Sequence, residues 1–361
     1  MGTIDPEFSN TIVFTGGGTG GHFFPAVALA EGVRARWPQV PVVFVGAKRG
    51  IEARLLPESP WPHLLLDVEG LVGRSPFRLA GSVWKLFRAW RTLKARWKQH
   101  RPRVVVATGG YGAAPALFAA RSLGIPYFLH ESNAEPGRLI RLLALGADSI
   151  WCGMRAVEAR LPNANCRLVG TPVREAFLRH FEAPEALRPP HCLLVLGGSG
   201  GARALNEAIL SMAPSLLELF PDWEILHQVG GRESEALASR NRHPRHHLVP
   251  FIDAVDQALE GASLVVSRSG ASTCAELKVC GRPSILVPFP ASAGDHQRMN
   301  ARAMVAEGQA IVVEQGAAFA ERLLGEAARL MGSPIPRQAI SRAEPNRAVE
   351  LCLGDLARRI G

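Results

Sequence analysis

The residues of this chain best suited to chemistry are glycines that follow short apolar runs. Thr11-Ile-Val-Phe leads into Thr15-GGGTGG-His22, and Cys192-LLVL leads into Gly197-GSGGA-Arg203, so that Gly17-Gly-Thr-Gly-Gly aligns with Gly197-Gly-Ser-Gly-Gly. A third such turn, Thr108-GGYG, follows Val104–Ala107. Glycines at the end of a strand let backbone N–H groups and the positive end of the next helix approach an anion with no Cβ in the way. Three such loops exceed the needs of one nucleotide and suit two anionic ligands. Gly16, Gly18 and Gly21 spell G-x-G-x-x-G, the fingerprint of a nicotinamide dinucleotide site. That reading expects an acid roughly 20 residues on, whereas Val42–Val45 ends in Gly46-Ala-Lys-Arg and the first acid is Glu52. A P-loop ATPase is excluded because no glycine loop ends in Gly-Lys-Ser or Gly-Lys-Thr. Asp253-Ala-Val-Asp256 lacks the spacing of a D-x-D metal site, and the six cysteines form no C-x-x-C pair.

The elements that position these loops follow from pattern. Apolar-periodic stretches run from Phe24 to Val33 and from Ala204 to Leu219, and further strand-then-turn units occur at Val42–Val45, Leu264–Ser267 and Ser284–Val287. Strands alternating with helix-length segments predict an α/β protein of two doubly wound, Rossmann-like parallel sheets. The length of 361 residues agrees with two domains, and Glu182-APEALRPP marks their approximate junction. Residues 1–10 read as a cloning remnant, polar and without the order of a secretion signal.

Net charge is +9, with arginine far outnumbering lysine, which points to anionic partners. From Leu71 to Arg103 there are ten Arg or Lys and no acid. Leu79, Val83, Leu86, Trp90, Leu93 and Trp97 recur at steps of four and three, while Phe77, Trp84 and Phe87 widen the apolar side. Arg78, Lys85, Arg88, Arg91 and Lys94 flank it. This basic amphipathic helix suits a core-packing helix with a solvated face and equally one that docks on an anionic membrane. No apolar run is long enough to cross a bilayer.

Thr15-GGGTGGH, Thr108-GGYGAAP, His130-ESNAEPG, Val169-GTPVR, Leu196-GGSGGARALN, Arg268-SGASTCAEL and His296-QRMNA, in this order, resemble glycosyltransferase family 28, in its branch of lipid I-directed N-acetylglucosaminyltransferases of peptidoglycan synthesis. The match runs from about Thr11 to the C-terminal tail. The resemblance implies the GT-B architecture, two doubly wound domains facing across a cleft. Residues 11–173 would form the acceptor- and membrane-binding domain, joined by a C-terminal helix over about 344–361 whose stripe Val349, Cys352, Leu356 and Ile360 packs on it. Residues 174–343 would hold UDP-N-acetylglucosamine.

The implied reaction is inverting transfer of N-acetylglucosamine to the C4 hydroxyl of lipid I, at the cytoplasmic face of the cell membrane. UDP-N-acetylglucosamine, lipid I, the anionic leaflet and other cell-wall synthesis proteins are the implied partners, with no nucleic acid, no cofactor and no catalytic metal. A UDP-sugar epimerase of the same fold and, more remotely, an NAD(P)-dependent dehydrogenase are the alternatives. The resemblance places the donor against Thr19, Gly20, Gly21, Asn133, Arg174, Ser199, Ile252, the run Ala271, Ser272, Thr273, Cys274, Ala275 and Glu276, and His296, Gln297 and Asn300. Gly18, Gly20, Gly21, Gly109, Gly110 and Tyr111 would receive the acceptor pyrophosphate. Backbone amides, helix ends and Arg174 or Arg268 would stabilise the leaving UDP. His22 is the leading general base, since imidazole titrates near neutral pH, although a histidine there also suits a helix start. Glu131 is the alternative base. Thr171 and Gly200 depart from the commoner family pattern at two positions.

Overall fold

The computed structural model describes residues 6–70, 76–179, 191–198, 201–231, 233–241, 243–290, 292, 295–333 and 347–361. The chain divides into two compact units, Met1–Arg174 with Asn346–Gly361, and Glu175–Pro345. The division falls one residue beyond the boundary expected from sequence.

The first unit is built on a seven-stranded parallel sheet in the order β3-β2-β1-β4-β5-β6-β7. These strands are β1 (Ile12–Thr15), β2 (Val42–Ala47), β3 (His63–Leu66), β4 (Val104–Ala107), β5 (Tyr127–Glu131), β6 (Ser149–Cys152) and β7 (Cys166–Leu168). Its helices are α1 (Gly20–Arg36), α2 (Ile51–Leu55), α3 (Pro76–Gln99), α4 (Ala114–Leu123), α5 (Arg138–Leu143) and α6 (Ala156–Arg160). The second unit opens with α7 (Glu175–Arg179) and carries a six-stranded parallel sheet in the order β10-β9-β8-β11-β12-β13. Its strands are β8 (His191–Leu196), β9 (Trp223–Gln228), β10 (His246–Val249), β11 (Ala262–Ser267), β12 (Ser284–Leu286) and β13 (Ala310–Val312). They alternate with α8 (Arg203–Leu219), α9 (Ser234–Ala238), α10 (Val255–Gly261), α11 (Ala271–Cys280), α12 (His296–Ala306) and α13 (Phe319–Met331). Each sheet reverses its strand order once, between β1 and β4 in the first unit and between β8 and β11 in the second. Loops at such a reversal open a crevice at the C-terminal ends of the strands.

Helix covering on both faces makes the central strands apolar throughout rather than alternating. Ile12, Val13 and Phe14 of β1 and Val104, Val105 and Val106 of β4 are all fully buried. The last helix, α14 (Arg347–Ile360), packs on α1. Val349, Cys352, Leu356 and Ile360 are all buried, and a Cβ at Gly32 would lie 2.5 Å from Val349 Cγ1. The C-terminal helix therefore belongs to the first unit; residues 344–346 lie outside the described residues.

The helix α3 divides its apolar stripe between two environments. Leu93 and Trp97 are fully buried in the core, where Trp97 meets Phe8 edge to face. Leu86 and Trp90 are half-buried, whereas Leu79, Val83, Trp84 and Phe87 are exposed, Trp84 to 60%. The core-packing reading therefore describes the C-terminal half of this helix, and the other half leaves its apolar side chains exposed. The side chains of Phe77 and Arg78 lie outside the described residues.

Candidate functional site

In the first unit the loops after β1 and β4 meet at the strand-order reversal. His22, in the first turn of α1, directs Nδ1 at the main-chain oxygen of Thr108, 2.9 Å away. A carbonyl oxygen can only accept, so Nδ1 carries the proton and Nε2 is the basic nitrogen. The hydroxyl of Thr108 donates to the His22 carbonyl oxygen at 2.5 Å, locking the two loops together from the other side. Contact is close enough to require glycine. At Gly110, where φ is +80°, a Cβ would lie 2.1 Å from the Gly17 carbonyl oxygen and 3.2 Å from the His22 ring.

Thr19, Gly20 and Gly21 open α1 beside this ring, with Thr19 exposed and no side chain capping the helix start. Gly109, Gly110 and Tyr111 form the facing loop, and the Tyr111 hydroxyl donates to the Arg49 carbonyl at 3.3 Å. The amide of Gly18, expected at the acceptor pyrophosphate, is already used. It donates to both carboxylate oxygens of Glu52, at 2.8 and 3.0 Å. Burial pushes the Glu52 carboxyl above its usual range, while the hydrogen bonds from Gly18 and Ala47 pull it back.

Glu131, at the end of β5, is 3% exposed and accepts three hydrogen bonds: from the Asn133 backbone and side-chain amides at 2.9 and 3.1 Å, and from the Gly137 amide at 2.9 Å. These bonds fold residues 132–137 into a loop around the carboxylate. Protonation of Glu131 would weaken these bonds, which counts against it as a base. His130 beside it is fully buried; its Nε2–H donates to Gly170 at 2.9 Å, and burial pulls its pKa down to about 4.

Arg174 stacks its guanidinium 4.1 Å above the Phe24 ring of α1. Thr19, Gly20, Gly21, Asn133 and Arg174 thus belong to the first unit, and the remaining expected donor residues to the second.

In the second unit, Ala271 to Glu276 make the first two turns of α11, directly after β11, and Glu276 is buried. Three hydrogen bonds tie the turn Arg268–Gly270 and the end of β12 to α12. Asn300 Nδ2 donates to the Ser269 carbonyl at 2.9 Å, the Ser269 hydroxyl to the Gln297 carbonyl at 2.8 Å, and the Phe289 amide to Gln297 Oε1 at 2.9 Å. Gln297 and Asn300 are therefore held against the turn that precedes α11, and His296 opens α12 beside them. Ile252 lies half-buried in the turn after β10. Arg268, considered as a phosphate ligand, donates instead to the Val287 and Pro288 carbonyls and to Gln315, and burial lowers its pKa. Ser199 lies outside the described residues, but its neighbour Gly198 adopts φ +85° and accepts from Gln228 Nε2 at 3.0 Å.

On α3 the expected membrane cations differ among themselves. Lys85 is paired with Glu69 at 2.7 Å and Asp67 at 3.2 Å, acids that lie just before the acid-free segment. Arg88, Arg91 and Lys94 instead fold over Trp84, Phe87 and Trp90. An apolar groove of about 610 Å³, lined by Val83, Leu86, Phe87, Trp90 and Phe118, runs between α3 and α4. No helix among the described residues is long and apolar enough to cross a membrane, and none of those residues form a cluster of three or more His, Cys, Asp or Glu able to hold a metal ion.

Sequence reasoning treated Glu52 only as an argument against a nicotinamide site and passed over Thr108. Both would have been visible as partners of the glycine loop had the order β2-β1-β4 been known, because neighbours across the reversal are remote in sequence.

Residues 12–151 match the family described as glycosyltransferase family 28 N-terminal domain, and residues 192–348 match the glycosyltransferase family 28 C-terminal domain. The chain is 37% identical, over 97% of its length and 94% of the relative's, to the UDP-N-acetylglucosamine–N-acetylmuramyl-(pentapeptide) pyrophosphoryl-undecaprenol N-acetylglucosamine transferase of Anaeromyxobacter sp. (strain K). Its structure resembles the crystal structure of Acinetobacter baumannii MurG with a TM-score of 0.64 and 28% identity, covering 95% of each chain. A UDP-N-acetylglucosamine 2-epimerase structure from Listeria monocytogenes aligns with a TM-score of 0.69 over 97% of this chain and 96% of that one. At 15% identity that likeness shows the fold alone.

Proposed function

The chain belongs to glycosyltransferase family 28, and from that premise we propose that it transfers N-acetylglucosamine from UDP-N-acetylglucosamine to the C4 hydroxyl of the undecaprenyl-diphosphate-linked N-acetylmuramyl pentapeptide, lipid I, giving lipid II for peptidoglycan. The observation that carries this reading is the 37% identity, spanning both units, with a transferase of that name. The epimerase alternative rests on shared architecture and is not favoured.

The acceptor hydroxyl must lose its proton as it attacks the anomeric carbon, and UDP leaves with growing negative charge. His22 is our candidate for the first task. Its Nε2 takes the proton, and the Nδ1–H bond to Thr108 both fixes the tautomer and stabilises the imidazolium that forms. Inversion follows from direct attack on the face opposite the departing UDP. For the second task the N-terminal ends of α8 and α11 offer backbone amides and helix-dipole charge. Ile252 would read the uracil edge, Glu276 would accept the ribose hydroxyls, and Gln297, with His296 and Asn300, would contact the sugar. Ser199 would hold the UDP phosphates. The acceptor diphosphate is assigned to the amides of Thr19 to Gly21 and the facing Gly109–Tyr111 loop. We assign no divalent metal to the chemistry; turnover lost to chelator would overturn that.

Membrane docking is assigned to the exposed half of α3. Leu79, Val83, Trp84 and Phe87 would enter the acyl boundary of the cytoplasmic leaflet, with Arg88, Arg91 and Lys94 among its headgroups. A peripheral seat there brings a lipid-linked acceptor to the first unit. The function is tested by incubating the protein with radiolabelled UDP-N-acetylglucosamine and a short-chain lipid I analogue. A labelled disaccharide lipid supports it, and label confined to sugar nucleotide or free sugar refutes it.

A further inference from the structure

We infer that Glu52 is a positioning residue for the acceptor half: its carboxylate is a built-in anion that occupies the cradle under the first glycine loop and so sets the place of His22. This rests on His22 acting as the base. Glu52 sits in the first turn of α2 with no exposed surface. Its Oε1 and Oε2 accept the Gly18 amide, and Oε1 also accepts the Ala47 amide at 3.3 Å. An ionised carboxylate placed where water cannot reach it is costly unless it is hydrogen-bonded, and these charge-assisted bonds reach both of its oxygens. The backbone leaves room for the carboxylate and little more. A Cβ on Gly17 would lie 2.2 Å from Oε1, and one on Gly50 2.8 Å from Oε2.

From this cradle the contacts run to the imidazole in two steps. The Gly17 amide donates to the Gly109 carbonyl at 3.4 Å, and the Gly17 carbonyl lies against Gly110. Residues 109 and 110 in turn form the wall against which the His22 ring rests; a Cβ on Gly109 would be 2.9 Å from Nδ1. The carboxylate has a second effect. With the Gly18 amide taken and a negative charge behind it, a diphosphate is held outward, on the amides of Thr19 to Gly21 at the start of α1.

The variant Glu52→Gln keeps the shape of the side chain but removes its charge and, with its oxygen kept on the Gly18 and Ala47 amides, sets an NH₂ group against the Gly18 donor in place of the shorter bond. Misplacement of His22 by an ångström predicts a kcat lower by roughly 10²-fold, an unchanged KM for UDP-N-acetylglucosamine, and a Gly18 amide proton that shifts and exchanges faster by NMR. Gly17→Ala, which drives a methyl into the carboxylate from the opposite side, is the second variant and should give the same three changes should Glu52→Gln fail to fold. A folded variant with wild-type kcat, or one whose loss only matches its unfolded fraction, overturns the positioning role. An unmoved Gly18 amide overturns the assignment whatever the rate does. Wild-type protein that transfers no sugar at all would be a failure of the proposed function instead, and the Gly18 amide would then decide the assignment alone: a shift supports it, and none overturns it.

Discussion

His22 Nδ1 and the main-chain oxygen of Thr108 stand 2.9 Å apart, joining two loops that are 86 residues distant in the chain. Because that oxygen only accepts, the bond assigns the imidazole tautomer and leaves Nε2 bare for a proton. His22→Ala should lower turnover by about 10²–10⁴-fold while leaving UDP binding in calorimetry nearly intact, since His22 itself is assigned no contact with the nucleotide. Near-normal turnover would remove His22 from the role.

Glu131 should behave differently. Glu131→Gln keeps the side-chain size but weakens the acceptor set for the Asn133 and Gly137 amides. The expected result is a raised KM for the sugar donor from a loosened 132–137 loop, with an unchanged pH profile of kcat. Loss of the acidic limb of that profile would instead make Glu131 the base.

Much of this was legible beforehand. Four-residue apolar runs such as Val104–Ala107 state their strand character directly, and the repeated glycine pattern announces two related units. The role of Glu52 was not legible, because its partner Gly18 is brought to it only by the pairing of β1 with β2. Nor was the pairing of Lys85: the acids that neutralise it sit before the basic segment, and only the packing of α3 returns Lys85 to them.

That pairing yields a graded prediction for membrane docking. Replacing Arg88, Arg91 and Lys94 together by Glu should release the protein from anionic vesicles, each basic residue near the surface being worth about 1 kcal/mol. Lys85→Ala should change sedimentation with vesicles less than Arg88→Ala does, because Asp67 and Glu69 already cancel the Lys85 charge. Equal effects, or none from the triple change, would contradict docking through this face.

Stability should fall in mild acid. His227 and His246 stack with their rings 5.5 Å apart, and His227 also bonds Asn206 at 3.1 Å. Burial pulls their pKa values down to about 3 and about 4, and that of His130 to about 4. Each folded value lies below the ordinary histidine value, so the unfolded chain takes up protons first as pH drops. Stability is therefore full above about pH 7 and declines from about pH 6.5 towards 4, by up to roughly 1.4 kcal/mol per pH unit for each group. Glu52, whose carboxyl is raised, opposes this only at the acid end of the window. Urea midpoints measured from pH 8 to pH 5 should fall steadily below pH 6.5; a flat series would contradict neutral burial of these rings.

The most direct test of the whole account is transfer itself, in detergent, with radiolabelled UDP-N-acetylglucosamine and a short-chain lipid I analogue, run on wild-type protein and on His22→Ala. The account predicts a labelled disaccharide lipid from the wild type and roughly a hundredth of that rate or less from the variant. No labelled lipid from folded wild-type protein, or equal rates from the two, would contradict it.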